Sequence, residues 1–179
     1  MITKRKSHFK ADIICYDENG NIKWQELGIK NIWHDEGEQY LLSAGFATNY
    51  SGYGAPPSNL FLGWDSRASL AEADTLASLS GEPTINQNNY ARQALSTAGT
   101  GVAGQDFVIV NTTPAYTGIC KTLTFTASGA TWSGKNMFLT TQGSNESGKK
   151  LLCSLAFSVT RTLTDGDSAN VNMAVAISE

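Results

Sequence analysis

Apolar positions along this chain recur mostly at every second residue, in short runs separated by polar turns. Phe9 to Tyr16 (FKADIICY) carries Ile13, Ile14 and Cys15 and reads as a strand. Its return run, Ile22 to Ile29, sets Ile22, Trp24 and Glu26 at alternate positions. Between them stands Asp17-Glu18-Asn19-Gly20, and Asn-Gly between apolar runs signals a hairpin of type I′, with positive φ at both turn residues. Further strands are predicted at Leu60 to Trp64, Tyr90 to Thr97, Phe107 to Val110, Ile119 to Thr126, Lys135 to Thr140, Leu151 to Val159 and Val171 to Ile177. Turn residues separate the later ones at Asn111 to Pro114, Ser128-Gly129, Gly143 to Gly148 and Asp165-Gly166-Asp167. Leu123 and Phe125, then Val171, Met173, Val175 and Ile177, alternate with small uncharged residues, a mild face fit to pack on another chain.

The period changes in two places. Asp35, Glu36 and Glu38 precede Tyr40-Leu41-Leu42 and place acids where the dipole of a helix from Asp35 to Ser43 favours them, with Gly45 as its stop. Ser69-Leu70-Ala71-Glu72 has the form of a capping box, and Leu70, Ala73, Leu76 and Ala77 would share a face of a second helix, Ser69 to Leu79. Gly81-Glu82-Pro83 ends it, while Thr48 to Ser58, with Pro56-Pro57, reads as a loop. Together these patterns predict an all-β chain of eight or nine strands, a single β-sandwich or jelly-roll-like domain with one or two short helices. The domain spans residues 11–179, behind a flexible basic arm at residues 1–10.

Charge narrows the list of partners. Charged residues make up 16% of the 179, below the usual quarter, and the net charge of −3 gives no basis for nucleic acid as the main partner. Lys4, Arg5, Lys6, His8 and Lys10 are the exception, a candidate contact for an acidic protein surface. Cys15, Cys120 and Cys153 lie far apart with no C-x-x-C pair, which predicts free thiols in a core folded under reducing conditions. The opening MITKRKSHFK lacks an apolar stretch behind its basic residues, and no apolar run reaches membrane-spanning length. Synthesis in a cytoplasm and no membrane partner are the expectation.

Catalytic chemistry finds little footing. His8 and His34 are the only histidines, and neither lies in a pattern that suggests a triad. His34 and Glu38 have the i, i+4 spacing of a metal pair but lack a third ligand, and Asp165-Gly166-Asp167 lacks the ligand run of a calcium loop. Gly99-x-Gly101-x-x-Gly104 precedes a strand, so it cannot offer a helix N-terminus to a pyrophosphate. No enzyme activity, metal or cofactor is expected. Arg67 and Arg92 are placed to pair with Asp65, Glu72, Asp74 or Glu82 and brace the centre of the chain. Tyr50, Tyr53, Trp64 and Trp132 are the aromatics that could form a stacking platform for a glycan.

The stretch Asn59 to Thr97 resembles a segment of small structural proteins of tailed bacteriophages: a short strand, an alanine-rich acidic stretch ending near Gly81-Glu82-Pro83, and Tyr90-Ala91-Arg92-Gln93. The likeness extends more loosely through Thr124 to Ala127, Asn136 to Thr140 and Leu163 to Ser168, with Asn31, Glu36-Gly37 and Tyr40 to Leu42 ahead of them. It implies a non-enzymatic virion protein, a capsid decoration or cement protein. Such a protein forms a homo-oligomer, a trimer at threefold sites, on the major capsid protein at the outer surface of the head. The alternative it leaves open is a tail-tip or fibre-head module that binds a host glycan.

Overall fold

Alternation of apolar and polar positions is realised, among the described residues, in ten antiparallel strands. A computed structural model describes residues 6–46, 57–99, 101–111, 116–143 and 150–178. The elements are β1 (Lys6–Tyr16), β2 (Ile22–Trp33), α1 (Asp35–Phe46), β3 (Asn59–Asp65), β4 (Gln93–Ser96), β5 (Phe107–Asn111), β6 (Tyr116–Cys120), β7 (Leu123–Thr126), β8 (Trp132–Thr140), β9 (Leu151–Leu163) and β10 (Ser168–Ser178). They pair in the order β4-β3-β8-β9-β2-β1-β10-β6-β5, with β7 also on β10. The sheet coils until it nearly closes, so the all-β, sandwich-like expectation holds. Ser128 N donates to Asn88 O at 3.1 Å and Asn89 Nδ2 to Thr126 O at 3.2 Å, fastening the approach to β4 onto the end of β7.

The coil bends where register breaks. Gly134 of β8 pairs with Arg161 of β9 but Asn136 pairs with Ala156, so residues 157–160 bulge opposite Lys135. Lys135 Nζ fills that gap by donating to the carbonyls of Phe157 and Ser158. Glu26 of β2 clasps the other side, its Oε1 accepting Ser158 N at 3.1 Å and Arg161 Nη2 at 2.6 Å.

Inside the coil, Trp64 is fully buried at the centre of an aromatic cluster. Its ring centroid lies 5.1 Å from Trp132, 5.0 Å from Phe157, 5.8 Å from Phe125 and 6.3 Å from Trp24. Edge and tilted contacts of this kind are worth about 0.5–1.5 kcal/mol each beyond the area they bury. Cys15, Cys120 and Cys153 are free and buried in β1, β6 and β9, as their spacing predicts.

Several boundaries differ from the sequence expectations. Residues 6–10 of the expected arm belong instead to β1, which begins at Lys6 and whose first five residues pair with Ser178 back to Ala174. Residues 1–5 lie outside the described residues. The hairpin turns at the expected place, but Gly20 alone has positive φ, at 82°. Gly20 N donates to Asp17 O at 3.0 Å and Asp17 Oδ1 accepts Asn21 N at 2.8 Å, so an aspartate-stapled turn replaces type I′. The helix α1 forms and runs past Gly45 to Phe46. Gly37 in its first turn lets it sit on β9, where a Cβ would lie 2.0 Å from Leu152 O.

The second helix does not form. Between Ser69 and Leu79 only a turn of 3-10 helix, Leu76–Ser78, is present. Ala71 N is taken by Asp74 Oδ2 at 2.7 Å, Thr75 N by Ser78 Oγ at 3.1 Å and Leu76 N by Glu36 Oε2 at 3.2 Å. Short polar side chains and an acid from α1 thus capture the amides that a helix would need. The run Ile119 to Thr126 splits into β6 and β7 at Lys121, whose amide donates to Asp106 O and whose ammonium pairs with Asp106 at 2.8 Å. Of Tyr90 to Thr97, only Gln93–Ser96 is strand.

Candidate functional site

Ala11, Ile13 and Cys15 of β1 and Ala169, Val171 and Met173 of β10 are buried, so the even-numbered residues between them build the outer face of the sheet. Four rows cross it. Lys30, Lys10, Ala174 and Ile119 stand side by side on β2, β1, β10 and β6. Asp12 faces Asn172, whose Oδ1 accepts Thr122 Oγ1 at 2.6 Å. Gln25, Ile14, Asn170 and Thr124 form the third row, with Thr124 Oγ1 donating to Asn170 at 2.7 Å. Ile22, Tyr16, Ser168 and Thr126 form the fourth.

Charge in these rows of the face is confined to Lys10, Lys30 and Asp12, and the Thr-Asn pairs hold each other's hydrogen-bonding groups. Ile22 at 59% and Ile119 at 44% exposure supply apolar corners. Its one concentration of charge is the pair Lys10 and Lys30, both exposed and directly opposite on adjacent strands. Like charges so placed repel, and a carboxylate on another surface would relieve them. Asp12 is tied into the β1–β2 bulge, accepting Gly28 N at 2.6 Å.

Behind the face, the irregular segment between β3 and β4 is fixed by buried polar groups. Arg92 grips Glu82 with both ends of its fork, Nε to Oε1 at 2.8 Å and Nη2 to Oε2 at 2.6 Å, and reaches Gln142 O at 2.8 Å. Its guanidinium also lies 5.2 Å from the centre of the Phe138 ring. Tyr90 hydroxyl donates to Glu82 at 2.8 Å and accepts Trp64 N at 2.9 Å; burial, then the Glu82 charge, pushes that phenol well above its ordinary pKa. Asp65, fully buried, receives Arg67 N at 2.9 Å and Gly81 N at 3.1 Å, while Arg67 also pairs with Asp74 at 3.5 Å. The bracing expected of Arg67 and Arg92 is therefore present, with Glu72 contributing its carbonyl to His34 instead of a carboxylate to arginine.

His34 is fully buried, 2.9 Å from Ser154 Oγ and 3.3 Å from Glu72 O. Burial holds its pKa below the ordinary value, so it is a neutral structural imidazole. Among the described residues no group of three potential metal ligands comes together. Asp167 of the Asp165-Gly166-Asp167 turn binds Lys23 at 2.6 Å and Thr164 N at 2.6 Å.

The residues expected to form a site fare unequally. Lys6, His8 and Lys10 occupy alternate positions of β1, and Lys4 and Arg5 lie outside the described residues. Tyr50 and Tyr53 also lie outside them. Trp64 and Trp132 cannot offer a glycan platform, because both are buried in the aromatic cluster. Lys30 escaped the sequence reading, since nothing local places it opposite Lys10 until the hairpin register is known. Comparison with family models, with curated protein sequences and with solved structures returned no match. The likeness to phage structural proteins thus rests on the quoted residues alone.

Proposed function

We propose that the protein is a non-enzymatic structural component of a tailed-bacteriophage virion, a decoration protein that binds the major capsid protein on the outside of the head as a homotrimer. The observation that carries this reading is the outer face of β1, β2, β10, β6 and β7: its Thr-Asn pairs hold one another, its named residues on β10, β6 and β7 are uncharged, and the Lys10–Lys30 pair edges it. Groups already held in place lose little conformational freedom on contact, so such a face suits close packing against a protein. Its basic corner suits an acidic patch on the shell. The function is mechanical. Each contact is modest, and repetition over the shell multiplies its effect.

The deciding experiment is co-sedimentation of the purified protein with undecorated heads, followed by a cryo-EM map of the particle. The reading expects saturable binding, threefold density on the head, and occupancy reduced at least tenfold by Lys10→Glu with Lys30→Glu. A monodisperse monomer that never co-sediments, or density only at the tail tip, overturns it.

A further inference from the structure

At one end of the coiled sheet, beneath α1, lies a half-open apolar cavity of about 350 Å³. Tyr40, Leu139 and Leu152 are its buried floor, and Leu60, Phe107 and Val175 form its walls. Among the described residues none of its lining side chains is charged, and Ser96 and Thr97 are polar points on the wall. Ligand pockets begin at about this size, and far smaller apolar cavities stay dry and take up apolar molecules.

Gly118 of β6 is the informative residue on this wall. Most tightly placed glycines here are demanded by packing: a Cβ would meet Phe138 at 2.5 Å from Gly63 and Trp64 at 2.7 Å from Gly134. Among the described residues, a Cβ on Gly118 would have only Val175 O near it, at 4.0 Å. Its φ lies outside the left-handed region, so the backbone does not require glycine either. Glycine weakens a strand, and where neither backbone nor crowding calls for it, it leaves space for something to approach.

We propose that this cavity is a binding site for a neutral, largely apolar small molecule, aromatic or short aliphatic, that enters between Leu41 and Ile109. Those two side chains are 44% and 61% exposed. A charged ligand would lose hydration with no counter-charge to replace it, so the lining selects against one. The site is separate from the outer face and does not depend on the role proposed for that face.

The test titrates the full chain with the neutral fluorophore N-phenyl-1-naphthylamine and follows methyl chemical shifts of Leu139, Leu152 and Val175. Saturable one-to-one binding is expected, with shifts confined to the cavity. Gly118→Leu should fill the space and weaken binding at least tenfold. Ile109→Glu, at an exposed position where folding is not at risk, should weaken it several-fold by charging the entrance. Non-saturable uptake, shifts away from the cavity, or binding unchanged in Ile109→Glu and in any folded Gly118→Leu overturns the proposal.

Discussion

Cutting the Arg92–Glu82 fork tests how the segment between β3 and β4 is held. Arg92→Met leaves the Glu82 carboxylate, 11% exposed, with the Tyr90 hydroxyl but without its guanidinium. Glu82→Met leaves a guanidinium whose side chain is 1% exposed without its carboxylate. Removing one partner of a buried pair costs about 3–5 kcal/mol, because the other charge stays desolvated. Against a total stability of about 5–15 kcal/mol, each single change should lower the melting temperature by on the order of 10 °C. The double change strands no charge, so it should cost less than either single one, with a coupling of about 2 kcal/mol or more. Urea titration of tryptophan fluorescence reads all three, provided the m-value stays constant. Singles that cost under about 1 kcal/mol, or a strictly additive double change, would refute the account of a dry, charge-paired anchor.

Three further outcomes follow from the same geometry. Gly20→Val should destabilise by about 1–2 kcal/mol through its φ of 82° alone, since open space surrounds a Cβ there; an unchanged melting temperature would contradict the turn. The thiols should resist alkylation in the native protein at pH 8, because burial pushes Cys15 and Cys120 up to about 11 and Cys153 higher still; the denatured protein should then yield three thiols per chain. His34, its folded pKa lowered by burial, contributes fully above the unfolded value of about 6.5 and loses stability as pH falls below it. His34→Gln should flatten the stability profile as pH falls below about 6.5, above the range where carboxylates such as Asp167, lowered despite burial by Lys23 and Thr164, protonate.

Strand periodicity was legible because burial enforces it; the bracing by Arg67 and Arg92 was legible as a set of candidate partners, and only the folded segment selects Glu82 for Arg92. The helix over Ser69 to Leu79 was misread for a physical reason. Its capping and face signals are local, whereas Glu36, which takes the amides of Leu76 and of Leu151, arrives from another element. Trp64 and Trp132 looked like surface aromatics because composition does not tell which face of a coiled sheet a residue joins. The opposition of Lys10 and Lys30 depends on a bulged hairpin register, which no spacing rule supplies.

That register links the interior to the outer face. Slipping β1 by one residue against its neighbours would carry Ala11, Ile13 and Cys15 outward and bring Asp12 and Ile14 into the aromatic core. Each large apolar side chain moved to water costs about 1.5–3 kcal/mol, and a desolvated Asp12 costs several more. The same slip on β10 would exchange Val171 and Met173 for Asn170 and Asn172, whose partners Thr124 and Thr122 stay behind. Summed, these losses approach the whole stability of a domain, so only one register is populated. The lysines, threonines and asparagines of the outer face are therefore positioned by residues that never touch solvent. A substitution such as Val171→Asn should disturb that face as surely as a change made on it.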